Sequence, residues 1–345
     1  MKKLLLLIPA AVGAWLLAQN LTPSRPLSEI TPAGAVLYLG AKDFASLLSD
    51  WSGSAEKKTW TQSASYKTFE RSHLYLRLQD VFNEYADGVG IAPNMNLLQS
   101  VAGGESALAI YDISKLEFLY LTRLPSARAM ESVLWKAREK FTARNAAGSA
   151  YYVKTGGKSG RQASFAVVGG LLLLSTREQS LTAALALLNG ANVPAVRNES
   201  WFSEAVSSAG AAGELRMLFN MDALVRAPSF RSHWIQRNVS DLREFSAGIS
   251  DLTRSSREYS ERRVLVRRNS GAPVSTNGVA SLLRLSPNAA LYRAWAQPDA
   301  AFAAEAVARK VLRVRNAAPS ADDGSEYAGE ESDLETSVST PLVDA

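Results

Sequence analysis

The sequence has no cysteine and only two histidines, His73 and His233, in 345 residues. The first lack excludes disulfides, thiolate zinc sites, iron–sulfur clusters and a cysteine nucleophile. The second excludes a multi-histidine metal centre and leaves a Ser–His–Asp triad two candidate bases. Each histidine has a plainer role: His73 adjoins the apolar stripe of a helix, and His233 sits beside Trp234. There is no Gly-x-Ser-x-Gly elbow to present a nucleophilic serine. No cofactor or metal is expected. A content of 47% hydrophobic and 21% charged residues excludes a wholly disordered chain, a collagen and a polytopic membrane protein.

What is there begins with an address. Met1-Lys2-Lys3 precedes an uncharged apolar run, Leu4–Ala18, followed by no charge until Arg25. A short positive start and a brief apolar core ending in small residues is the secretory signal pattern. As a helix the run would be about 22 Å long at 1.5 Å per residue, against a hydrocarbon layer of roughly 30 Å. Residues 1–26 are therefore read as a signal peptide cleaved after Ala18. A retained N-terminal anchor is the alternative. Either way the chain is expected to be exported to a periplasmic or other extracytoplasmic compartment. The other end, residues 321–345, has Asp322, Asp323, Glu326, Glu330, Glu331, Asp333, Glu335 and Asp344 and no Lys or Arg. So few apolar residues with one sign of charge cannot offset the entropy of ordering, and a disordered acidic tail is expected.

Between these ends the pattern is mixed α+β, with mostly antiparallel sheets and packed helices. Ala35–Leu39 reads as a strand, and Asp43 as the N-cap of a short helix. Leu74, Leu78, Val81, Phe82, Tyr85 and Val89 form one apolar stripe on a helix over residues 67–87. Strands are expected near Ser106–Tyr111 and Glu117–Leu124. A helix after Pro125 should align Met130, Leu134, Ala137 and Phe141. Tyr151–Thr155, Gln162–Val168 and Leu171–Ser175 read as three further strands. The unbroken Leu171–Leu174 run marks a strand covered on both faces. A helix over 178–189 stops at Asn189-Gly190. Gly156-Gly157-Lys158-Ser159-Gly160 contains the end of a phosphate-loop motif, but Tyr152 stands where the first glycine is required, so it reads as a hairpin tip.

Further on, Leu215, Met217 and Phe219 alternate as an apolar strand face. Phe245–Ser250 and Val264–Val266 form a hairpin around Arg254–Arg257. Ser286-Pro287 through Leu291-Tyr292 echoes Thr31-Pro32 through Leu37-Tyr38, each followed by an Asp-started helix, which suggests a partial internal duplication beginning near 286. The final helix, 299–315, gathers Arg309, Lys310, Arg313 and Arg315 at its C-terminal end. The organisation expected is a first α+β unit over 27–195, a second α+β part over 196–320, and the tail.

Pro32…Leu37-Tyr38, Asp222-Ala223-Leu224 after a strand, and Phe230-Arg231-Ser232-His233-Trp234-Ile235-Gln236-Arg237-Asn238 leading to Glu261-Arg262-Arg263-Val264-Leu265 resemble an uncharacterised family of exported bacterial proteins, a domain of unknown function. The likeness covers about residues 27–315. It implies duplicated α+β units and implies no activity.

The strongest chemical feature is basic. Arg254, Arg257, Arg262, Arg263, Arg267 and Arg268 crowd one hairpin. The first five form a candidate patch for an anionic partner: anionic lipid, a cell-wall polymer or an acidic protein. Nucleic acid is not expected for an exported chain without an aromatic-interleaved basic platform. The plainer reading is a solvated, self-paired edge that discourages strand addition. The function expected is a non-enzymatic binding or scaffold role in the cell envelope. The alternative is a cysteine-free periplasmic hydrolase using serine or a carboxylate pair about 5–10 Å apart.

Overall fold

The computed structural model describes residues 25–156, 160–227, 242–254 and 259–268, all within one compact unit. In chain order its elements are β1 (Leu37–Ala41), α1 (Phe44–Gly53), α2 (Ala55–Gln62), α3 (Ala64–Phe69), α4 (His73–Val89), α5 (Met95–Val101), β2 (Ser106–Asp112), β3 (Glu117–Arg123), α6 (Ser126–Glu131), α7 (Val133–Lys136), β4 (Thr142–Ala146), β5 (Ser149–Gly156), β6 (Arg161–Val168), β7 (Leu171–Ser175), α8 (Glu178–Leu188), α9 (Ser200–Ala209), β8 (Leu215–Asn220), α10 (Met221–Arg226), β9 (Phe245–Arg254) and β10 (Tyr259–Arg267). The fold is α+β, as the alternating patterns predict. The second echo from 286, the helix at 299–315, the tail, the leader and the His233 segment lie outside the described residues.

All ten strands form one antiparallel sheet in the order β10-β9-β8-β1-β2-β3-β7-β6-β5-β4. β1 pairs with β2 on one side and with β8 on the other, so the sheet runs without interruption past residue 195. Period-2 alternation divides the strands between two helix layers. Leu119, Leu121, Leu171 and Leu173 point to the side covered by α8 and α9, together with Leu27, Ile30 and Val196. Tyr120, Phe165 and Leu172 point to the other side, against Val89, Val101, Ala129 and Leu134. β7 lies between β3 and β6 and buries both faces, the arrangement its unbroken leucines imply.

Four local departures from the periodicity reading have physical causes. The expected helix through Phe141 is broken into α6 and α7 at Ser132, whose hydroxyl donates to Ala129 O at 2.6 Å and accepts from Trp135 N at 3.2 Å. The helix over 67–87 is likewise split, at Ser72, into α3 and α4. Strand β4 carries no apolar alternation because four of its five residues are exposed. On β8 the buried residues are Arg216 and Leu218, while Leu215, Met217 and Phe219 are only half-buried. Arginine takes a core-facing position there because Asp251 stands opposite it on β9. The β5–β6 hairpin places its turn where the glycine-rich stretch predicts it, with Gly156 opposite Arg161. A side chain at Gly156 would meet Gly88 O at 2.2 Å, so this strand end can approach α4 only without a Cβ.

Candidate binding surfaces

Two regions concentrate chemistry. The first is the arginine hairpin, which occupies a sheet edge because β10 pairs only with β9 among the described strands. Most of its cations are engaged within the molecule. Arg254 lies 2.6 Å from Asp50 on α1 and 3.6 Å from Glu214. Arg263 grips Glu261 with both Nε and Nη2, at 2.7 and 2.6 Å, and Glu261 also accepts from Ser250 at 2.6 Å. These contacts hold the Glu261 carboxyl below its ordinary range. Arg262 points to the opposite face and donates to Ala209 O at 2.9 Å. Arg267 lies 6.0 Å over the Phe245 ring, and Arg268 meets Asp222 at 2.5 Å. Arg257 lies outside the described residues. The five-arginine patch is thus divided between two faces, and Arg254, Arg262 and Arg263 each have an internal partner.

Beneath the hairpin, Arg216, Asp251 and Arg262 stand in one cross-strand row on β8, β9 and β10. Arg216 holds Asp251 in a buried bidentate pair at 2.6 and 2.7 Å. Burial pushes the Asp251 carboxyl up, but the Arg216 hydrogen bonds and charge outweigh it, and the net shift is down. Arg216 also donates to Gly210 O at 3.1 Å, so with Arg262 it places two cations on the free carbonyls that end α9. That is where helix-end electrostatics favour positive charge. This row anchors a helix to a sheet; it is not a free cationic surface.

Other carboxylates are similarly held. Glu178 is lowered by the Tyr151 hydroxyl, 2.6 Å away, and by Arg144. Burial raises Glu199, against the opposing Gly34 amide at 3.1 Å, where α9 begins beside the Pro32–Ala195 bridge. Among the described residues no group of three or more His, Cys, Asp or Glu is placed to hold a metal ion.

The second region, the arc α1–α4, was read only at its ends: Asp43 and the 67–87 stripe predict α1 and α4, while the short helices α2 and α3 between them escaped the periodicity. The first three helices of the arc abut with a single serine between each pair, Ser54 and Ser63, and α3 and α4 are joined by Glu70-Arg71-Ser72, so a serine immediately precedes each of α2, α3 and α4. The three serines share an extended backbone, φ −74, −70 and −70° with ψ 151, 154 and 149°. Each serves two helices at once. Ser54 Oγ donates to Trp51 O at 3.0 Å and accepts from Lys57 N at 3.0 Å. Ser63 Oγ donates to Trp60 O at 2.7 Å and accepts from Tyr66 N at 3.0 Å. Ser72 Oγ donates to Phe69 O at 2.6 Å and accepts from Tyr75 N at 3.2 Å. The hydroxyl satisfies an orphan amide ahead and gives a second donor to a last-turn carbonyl behind that the serine's own amide also reaches, which lets helices follow one another with little or no loop. The sequence signal is an aromatic three residues before each serine (Trp51, Trp60, Phe69), repeated every nine residues. A 3.6-residue window averages that period away.

Helices α2 and α3 bury no residue. Trp51, Trp60, Leu76 and Phe82 on the arc are exposed, Trp60 by 43%. Edge-to-face contacts run through the arc from Trp60 to Tyr66 at 5.9 Å and from Phe69 to Tyr75 at 5.3 Å, with Tyr66 and Phe69 6.4 Å apart. An open groove of about 500 Å³ is lined by Ala55, Glu56, Thr59, Trp60, Ser63 and Ser65.

No family model matches this chain, and no curated protein matches it. A solved structure described as "Structure of crystal form I of TP0453" is similar at 13% identity and a TM-score of 0.38, over 80% of this chain and 90% of that one. Among the described residues no helix is long and apolar enough to cross a membrane.

Proposed function

We propose that this chain is an exported cell-envelope protein with a binding role, and that the aromatic arc α1–α4 is its working surface. The observation that carries the reading is that α2 and α3 bury nothing while Trp51 and Trp60 face solvent. Short helices are marginal in water unless packed, so two consecutive short helices held by caps and a few half-exposed aromatic contacts form a surface that gains stability by covering. Exposed aromatics are the residue type that anchors recognition, because they bring large contact area at low entropic cost. The apolar run Leu4–Ala18 supports delivery out of the cytosol. The internal pairing of Arg254, Arg262 and Arg263 favours the arc over the hairpin as the contact surface.

The test is fractionation of cells expressing the full chain, alongside a Trp51→Ala/Trp60→Ala variant. The wild type is expected in the envelope fraction, with either a new N-terminus at Gln19 or an intact Met1 in the membrane. The variant should be exported equally and retained less. Recovery of the intact wild type in soluble cytosolic extract, or equal retention of both forms, overturns the reading.

A further inference from the structure

We infer that the groove around Trp60 binds the flat, uncharged face of a pyranose glycan, of the chemistry found in cell-wall polymers. This rests on the binding role of the arc proposed above and names its ligand class. Tyr66 abuts the Trp60 ring at an interplanar angle of 71°, edge to face, and steadies the indole while 43% of the residue stays exposed. An indole in that state offers an apolar plate of ring size, and the axial C–H face of a pyranose is an apolar plate of matching size. Around it stand short hydrogen-bonding side chains, Glu56, Thr59 and Ser65, able to meet the hydroxyls at a sugar's rim.

Charge separates this ligand from the other candidates. The one charged residue lining the groove is Glu56, an acid, with Lys57 and Lys58 beside it on α2 but outside the lining; its carboxylate accepts hydrogen bonds from neutral hydroxyls and disfavours a phosphate seated directly on the indole. Shape agrees as well. The groove is shallow and open, about 500 Å³ in volume. Being open, it admits a polymer passing along it.

The test is calorimetric titration of the full-length protein with chitotetraose, with phosphatidylglycerol vesicles in parallel. Chitotetraose is expected to bind, Trp60→Ala to weaken it at least tenfold, and Trp60→Phe, which keeps an aromatic plate, to stay within about threefold. Glu56→Lys should weaken binding more than Glu56→Gln, because the amide keeps an acceptor. Circular dichroism melts establish that each variant is folded, which the absence of buried residues on α2 makes the expected result. Absence of chitotetraose binding, equal binding by Trp60→Ala, or binding confined to the anionic vesicles overturns the inference. If envelope retention depends on Trp51 and Trp60 while chitotetraose does not bind, the ligand class is wrong and the arc's role stands. If retention is indifferent to both tryptophans, the role itself fails.

Discussion

The sheet body and the arc α1–α4 are built on opposite principles. In the body, Leu119, Leu121, Phe165, Leu172, Leu173, Leu181 and Leu185 are removed from solvent, and each helix is fixed by the strand side chains it covers. In α2 and α3 no residue is fully buried, and order comes from the serine caps and from the edge contacts that link Trp60, Tyr66, Phe69 and Tyr75. Burial contributes roughly 1.5–3 kcal/mol for each large apolar side chain, whereas a cap contributes about 1 kcal/mol. The body should therefore unfold as one cooperative unit and the arc should open locally, at a small fraction of the global free energy.

The sharpest way to break this contrast is to attack the body. Phe165→Ala removes a fully buried ring that contacts Phe141 at 5.2 Å and Tyr152 at 5.1 Å, and is expected to lower stability by about 3–5 kcal/mol in urea denaturation. A loss below about 1 kcal/mol would mean that the second helix layer is not part of the cooperative core. Next is Arg216→Ala, which leaves Asp251 charged, buried and without its bidentate partner. Breaking a buried pair from one side costs about 3–5 kcal/mol. Arg216→Met together with Asp251→Leu should recover most of that loss.

Acid provides a related probe. Asp251 and Glu178 have carboxyls held below their ordinary values, so the stability they contribute is complete above the unfolded carboxylate range, about 3.9–4.3. It is lost as pH falls through the lower folded values. Glu199, raised by burial, acts in the opposite sense: its ionised form opposes folding at neutral pH, and that penalty fades as pH falls through its raised value. Melting curves between pH 7 and 2 should show a net acid loss, reduced in the Arg216→Met/Asp251→Leu variant. An unchanged acid limb in that variant would remove the row from the account.

Smaller effects belong to the arc. Ser63→Ala deletes both caps at one junction and should cost about 1 kcal/mol locally. Amide hydrogen exchange in 64–69 would then be about fivefold faster, with the global melting transition unmoved. A drop in the global transition would show the arc to be part of the cooperative body. Of similar size, Trp60→Ala loses the edge-to-face contact with Tyr66 and should cost about 0.5–1 kcal/mol within the arc, with the global melting transition unmoved, whatever it does to binding.

Much of the body was legible before any coordinates. Leu171–Leu174 could be read as a doubly covered strand, and the stretch around Gly156–Gly160 as a hairpin tip, because strong apolar runs and glycine turns are decided locally. β4 was not legible: Thr142–Ala146 is exposed at a sheet edge, and an exposed strand needs no apolar pattern. Arg216 was misleading for the converse reason, since a charge belongs inside only when its partner arrives from another strand. The arginine patch was read as a concentration of charge. Sequence spacing cannot say that Asp50, two hundred residues earlier, reaches Arg254 at 2.6 Å. In the arc, the repeated aromatic-x-x-Ser motif was present in the letters, but its meaning depended on seeing one hydroxyl cap two helices.

The letters alone determined the α+β alternation, the lack of thiol and multi-histidine chemistry, and the positions of the strongly apolar strands, because backbone period and side-chain type act over a few neighbouring residues. Only the tertiary structure decided that β8 joins β1 to continue one sheet, that the arginines are divided between partners, and that Trp60 is left in the open. Those outcomes depend on which distant residues meet, and pairing free energy is a property of the meeting, not of either residue.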